Sequence, residues 1–280
     1  MGIIDTHSHL QMPELDGRRR EMLEVARGAG VEQILLCAGA PSNWELTARV
    51  AHETGLGYLL GIHPLALAEA TPAALAELRA RVREAMDDPF FIGVGEVGLD
   101  AFEPGIDQRL AMEVFIEELR IARDFDLPLS VHVRKTGSQT LGAFRRIPPP
   151  GGVIHAFNGS DAEREAFLAR GMKLGFGGAA TYAGSRRIRR HLAEVKDGDW
   201  VLETDTPDMP GSGRRDAFAA GLAPLATEPA DIREYVRVAS DLRGVSEEEV
   251  VRISRAAALR TFPRLEGLLA HPGAFSRRGV

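Results

Sequence analysis

The chain has 280 residues, 44% of them apolar and 26% charged, with a formal net charge of −6 at pH 7. That balance belongs to an ordinary globular protein, and its sign excludes one that holds nucleic acid mainly by bulk electrostatics. No apolar run nears the roughly 18 to 20 residues needed to cross a bilayer, and a single cysteine excludes an internal disulfide.

In chain order, short apolar runs alternate with amphipathic stretches. Ile3 and Ile4 open a buried strand that runs into Asp5, His7 and His9. Residues two apart on an extended chain share a face, so these three side chains converge. The same polar residues interrupt any basic-then-apolar leader, so a cytoplasmic protein without a membrane partner is expected. Residues 18–29 read as a helix stopped by Gly28 and Gly30. Residues 31–37 form a second strand, in which Cys37 has the ordinary role of a small buried hydrophobe. A helix over 43–54 takes Ser42 or Asn43 as its cap, and a third strand over 58–62 ends at His63-Pro64.

Thr71-Pro72 opens a helix through Met86, its proline tolerated in the first turn. A fourth strand over 90–94 runs into Gly95-Glu-Val-Gly-Leu-Asp100, followed by a long amphipathic helix over 107–124. Strand five, 127–131, meets His132, and a helix covers 137–146. Strand six, Val153-Ile154, meets His155 before a helix over 161–170. Strand seven is 172–176, a helix covers 186–195, and strand eight, 200–202, reaches Glu203, Thr204 and Asp205. Residues 207–226 are rich in Gly and Pro without periodicity, which predicts a lid or substrate loop. Helices over 230–242 and 246–261 close the chain. Eight strand–helix alternations predict an α/β fold, a single (β/α)8 TIM-type barrel over residues 1–280 with its site at the C-terminal ends of the strands.

Those strand ends carry the chemistry. His7 and His9 end strand one, Glu96 strand four, His132 strand five, His155 strand six and Asp205 strand eight. Taken singly, each has an ordinary alternative: a loop histidine, a hydrogen-bonded core histidine, a capping or salt-bridged carboxylate. Together, buried and unpartnered, they would cost several kcal/mol each, so the ring calls for compensating cations. One or two divalent ions would serve. Four histidines and two carboxylates suit zinc and tolerate manganese or cobalt, with magnesium a further candidate.

At this point the sequence resembles the TatD family of metal-dependent hydrolases. The motifs are Asp5-Thr-His-Ser-His-Leu10, Gly61-Ile-His-Pro64, Gly95-Glu-Val-Gly-Leu-Asp100 and Leu127-Pro-Leu-Ser-Val-His-Val-Arg134. They continue in order with Val153-Ile-His-Ala-Phe-Asn-Gly-Ser160, Gly175-Phe-Gly-Gly178 and Leu202-Glu-Thr-Asp-Thr-Pro207. The resemblance implies a barrel with a two-metal centre that hydrolyses phosphodiester bonds, often as a deoxyribonuclease, so DNA or a nucleotide is the expected partner. It implies one metal on His7, His9, Glu96 and Asp205, with Glu96 bridging to a second held also by His132 and His155. Two such cations lower the pKa of a shared water, giving a bridging hydroxide, and stabilise the charge that builds on the phosphoryl oxygens.

Asp205 is the candidate to orient that water and take its proton. Arg134, two residues past His132, faces the same side and can grip a phosphate or pair with Glu96 or Asp100. The resemblance also places His63 near substrate, where the alternative is a structural His-Pro turn. Glu203 is expected to hydrogen-bond a ligand histidine, and Asp5, deeper on its strand, to serve at the barrel floor. The arginines of residues 186–191 read as a solvated helix face. Arg214 and Arg215 are the first place to look for a polynucleotide contact.

The chain departs from the family at two places: Thr227 stands where Asn usually precedes Glu-Pro, and Ala257 where Asn usually precedes the terminal Phe, here Phe262. Neither is a ligand. A related barrel hydrolase acting on C–N or ester bonds is the alternative enzyme. Many such relatives bridge their metals with a carboxylated lysine on strand four, where this chain has Glu96. A catalytically inactive barrel serving as a binding partner comes third, since the ligand set is intact.

Overall fold

A computed structural model describes residues 1–275. Eight parallel strands follow one another in sequence order around the sheet: β1 (Ile3–Ser8), β2 (Val31–Cys37), β3 (Gly57–Leu60), β4 (Phe91–Asp100), β5 (Leu129–Arg134), β6 (Gly152–Ile154), β7 (Met172–Phe176) and β8 (Trp200–Leu202). Between them run α1 (Arg19–Gly28), α2 (Trp44–Thr54), α3 (Pro72–Ala85), α4 (Gln108–Asp124), α5 (Gly137–Arg146), α6 (Asp161–Leu168) and α7 (Arg186–Glu194). The first and last strands close the ring. His7 accepts from Asp205 N–H at 2.9 Å, Thr206 accepts from His9 N–H at 2.7 Å, and the Thr6 hydroxyl donates to Leu202 O at 3.1 Å. The result is the expected (β/α)8 barrel.

Its helices begin where side chains satisfy the free N–H groups of a first turn. Thr71 accepts from Ala74 N–H with Pro72 in the first turn of α3, Asp107 accepts from Arg109 and Leu110 to start α4, and Ser160 with Glu163 forms a reciprocal box at α6. The expected cap at α2 is absent: Asn43 turns its side chain back to accept from Ala40 N–H instead. One contiguous apolar core fills the space between sheet and helices, including Phe91, Phe115, Phe144, Phe167 and Trp200.

Several elements differ from expectation. β4 does not stop at Val94 but continues, fully buried, through the glutamate motif to Asp100. β5 likewise includes His132 and Arg134 rather than stopping short of them. Residues 207–226 are not loop alone, because they contain α8 (Ser212–Ala219), a helix with no buried residue. After α9 (Ile232–Arg243) and α10 (Glu247–Thr261) comes α11 (Arg264–Ala270), a short helix beyond those the sequence predicts. Thr227 N–H donates to Pro207 O and its hydroxyl to Asp208 O, pinning the chain beside strand eight. Ala257 lies fully buried in the core. Among the described residues no helix is long and apolar enough to cross a membrane.

Candidate metal centre

Five of the chain's eight histidines meet at the mouth of the barrel with Glu96 and Asp205. β1 delivers His7 and His9 on one face, and each ring is fixed by a bond at Nδ1. His7 Nδ1 lies 2.8 Å from Ser130 Oγ, with Cys37 Sγ at 3.4 Å. His9 Nδ1 lies 2.8 Å from Cys37 O. A carbonyl only accepts, so Nδ1 of His9 carries a proton and Nε2 is the ring atom turned inward. Both Nε2 atoms sit 3.2 Å from Glu96 Oε2, and 3.6 and 3.5 Å from Asp205 Oδ1.

Glu96, carried by β4, turns its other oxygen the opposite way. Oε1 is 3.2 Å from His132 Nδ1 and 3.5 Å from His63 Nε2. The His132 ring is held from behind by Asp100, whose Oδ2 is 3.0 Å from Nε2. His155 stacks on His7 at 3.7 Å between ring centres and points Nε2 at Asp205 Oδ2, 3.4 Å away. Glu203 Oε1 lies 3.1 Å from its Nδ1. Three groups of ligand atoms therefore each gather within 4.8 Å: His7 with His9 and Asp205, His7 with Glu96 and His155, and His63 with Glu96 and His132.

All six expected ligands are together. His63 joins them, and His155 has a carboxylate at each ring nitrogen, Glu203 at Nδ1 and Asp205 at Nε2, while grouping with His7 and Glu96. Asp100 is a member of the site that sequence reasoning treated only as a partner for Arg134; its place at the end of the glutamate motif was the available signal. Arg134 forms neither anticipated salt bridge. Its guanidinium is 3.6 Å from Glu103 and stacks on Phe102. Arg214 is committed elsewhere, donating to both oxygens of Asp231. In α7, Arg187 donates to Asn158, Arg189 to Ala180 O and Arg190 to Asp161, so these arginines bind the protein's own surface. Asp5 sits at the floor, fully buried, accepting from Thr204 N–H and hydroxyl at 2.9 and 2.6 Å. Burial pushes its carboxyl up to about 7 against those bonds.

Two glycines make room. A Cβ on Gly175 would come within 2.3 Å of the Glu203 carboxylate, and one on Gly61 within 2.6 Å of Glu96 O. Among the described residues, four of the five non-glycine positions with positive φ also cluster here: Lys135, Ala156, Asp205 and Met209. Backbone held in that region marks sites where surrounding contacts over-determine the chain.

The electrostatics fit a cation site. Burial by itself disfavours the His9 cation, yet hydrogen bonds that the ring donates to Asp205 and Glu96 outweigh it and push the ring up to about 10. His132 and His155 rise for the same reason, against burial, through Glu96 in one case and Glu203 with Asp205 in the other. Burial alone would raise Glu96 and Asp205, but the surrounding histidines hold both well below the usual carboxylate range. His7, more deeply buried and beside His155, is lowered. Converging imidazole and carboxylate donors that must otherwise hold protons in a dry site are a suitable set for zinc or a similar divalent ion. Beside His155 and Asp205 lies a small pocket lined by Phe157, Phe176, Ile188 and Met209.

A family model described as TatD related DNase matches residues 4–263. An uncharacterized metal-dependent hydrolase of Escherichia coli K12, YjjV, is 33% identical over 241 residues, covering 81% of this chain and 92% of its own length. Human deoxyribonuclease TATDN3 is 26% identical over 284 residues, or 96% of this chain and 97% of that protein. The crystal structure of the E. coli YjjV protein superposes with a TM-score of 0.85 at 28% identity, over 93% of this chain and 98% of that one.

Proposed function

Because the chain belongs to the TatD family of metal-dependent hydrolases, we propose that it hydrolyses phosphodiester bonds of DNA or nucleotides with two divalent cations. The observation that carries this reading is the division of Glu96 between Oε2, which faces His7 and His9, and Oε1, which faces His63 and His132. A carboxylate with one oxygen in each of two donor groups suits a pair of neighbouring cations. When bound, such a pair supplies an acidified water and a positive field for charge growing on phosphoryl oxygens. The deoxyribonuclease name of the human relative supports the substrate class.

The chain's own groups divide the remaining work. His7, His9 and Asp205 would hold one cation and His63 and His132 the other, with His155 against Asp205. Ser130, the Cys37 carbonyl, Asp100 and Glu203 fix the rings from behind. Asp205, its carboxylate kept ionised by the histidines around it, is the group to orient the attacking water and accept its proton. The imidazole-rich donor set favours zinc over manganese, magnesium or cobalt.

The test is metal analysis of the purified protein, then chelation and readdition of each cation in assays on a single-stranded oligodeoxynucleotide and on bis(4-nitrophenyl) phosphate. Metal-dependent cleavage of both is expected. Hydrolysis of neither diester, with turnover of an ester or amide, would move the assignment to the C–N or ester branch.

A further inference from the structure

Phe102 stands on the loop between β4 and α4, 47% exposed, in a chain whose aromatic rings are mostly core residues. It is not loosely placed. Asp100 Oδ1 accepts the Phe102 N–H at 2.6 Å and the Glu103 N–H at 3.1 Å, while Oδ2 of the same carboxylate lies 3.0 Å from His132 Nε2. One buried side chain thus couples an exposed ring to a candidate ligand.

Two cations meet that ring. The Arg134 guanidinium carbon is 3.9 Å from its centre and Lys135 Nζ is 4.6 Å away. Arg134 pairs with β4 at Asp100, as His132 pairs at Gly98, so it stands two residues, about 7 Å, farther out than His132 on the same face. The acidic neighbour of Arg134 is the half-exposed Glu103, at 3.6 Å. Lys135 has no acidic partner among the described residues and is held at φ +58 where β5 ends.

An exposed aromatic face beside cations is the general means by which proteins bind single strands: bases stack on the ring and phosphates meet the charges. A duplex hides its base faces and cannot use it. We propose that Phe102, Arg134 and Lys135 form a subsite for the nucleotide adjoining the scissile phosphodiester, its base on the Phe102 ring and its phosphate on the two cations. This rests on the phosphodiesterase assignment above. With a net charge of −6, the chain draws such a strand to this ledge by local charge alone.

The experiment compares wild type, Phe102→Leu, Phe102→Tyr and Lys135→Gln, all metal-loaded, on octathymidylate and on bis(4-nitrophenyl) phosphate. For Phe102→Leu, the ratio of kcat/KM on the oligonucleotide to that on the small diester is expected to fall about 5- to 100-fold, mainly through KM. Phe102→Tyr restores it, and Lys135→Gln weakens the salt dependence of oligonucleotide KM. An unchanged ratio for Phe102→Leu overturns the subsite, as does wild-type activity confined to the small diester. A parallel measurement, quenching of a 2-aminopurine single strand by the same proteins, needs no turnover. Quenching that Phe102→Leu weakens 5-fold or more, in a protein that cleaves neither diester, supports the subsite and overturns only the phosphodiesterase assignment. Quenching equal in wild type and Phe102→Leu overturns the subsite.

Discussion

Glu203 reaches back from the end of β8 to His155: its Oε1 lies 3.1 Å from Nδ1 and accepts the Ala156 N–H at 2.6 Å. A carboxylate behind a ligand imidazole fixes the ring and raises its basicity. Replacing Glu203 with Gln keeps an acceptor for Ala156 but removes the charge. Metal affinity measured by chelator competition is expected to fall about 10- to 100-fold. Affinity equal to wild type would show that His155 needs no such support.

Asp205 sits at φ +61, a backbone region that Asn also tolerates, so Asp205→Asn keeps the strand end intact. As the proposed proton acceptor, its loss should lower kcat about 10²- to 10⁴-fold with little change in Tm. Full metal-dependent activity in this variant would remove Asp205 from the chemistry.

Glu118 of α4 accepts the Ile62 N–H at 2.7 Å, directly before His63, and its other oxygen is buried without a hydrogen-bond partner. Burial pushes its carboxyl well above the ordinary 4.5. The folded protein therefore keeps a proton that the unfolded chain sheds. This contribution is fully present below about 4.5 and is lost as pH rises toward the folded value. Glu118→Gln removes the dependence while preserving the acceptor. Its Tm should match wild type near pH 4.5 and exceed it increasingly toward pH 8, by roughly 2 to 4 °C for each kcal/mol regained. A Tm difference that does not change with pH would refute the buried-acid assignment.

Metal binding to the folded state alone stabilises it by mass action, about 2.7 kcal/mol at a concentration 100-fold above Kd. Chelation should thus lower Tm by roughly 5 to 10 °C. Because ligand groups must shed protons to bind, uptake should also release protons, read as buffer-dependent heats in calorimetry. A Tm indifferent to chelator and readdition would contradict a cation site in this ring.

The barrel and its ring were legible because buried apolar runs recur along the chain and meet polar residues, as Ile154 does before His155 and Leu202 before Glu203. α8 escaped notice for a matching reason: with no buried residue it has no apolar stripe to betray its period. The side-chain direction of Arg134 could be inferred from its spacing, but its neighbours Phe102 and Glu103 lie on a loop that periodicity does not describe. The approach of His63 to Glu96 was equally hidden. It lies past the end of β3, and Glu118 on a helix distant in sequence holds the preceding residue.

The hydrogen bonds that close the barrel join its first strand to its last, and the contact of Asp5 with Thr204 spans 199 positions. His7 and His9 emerge with the first strand and just after it, whereas Asp205 follows only after all eight strands. A contact so distant in sequence forms late in folding. The full set of candidate ligands therefore comes together only when the ring is shut, which would tie metal loading to closure of the barrel.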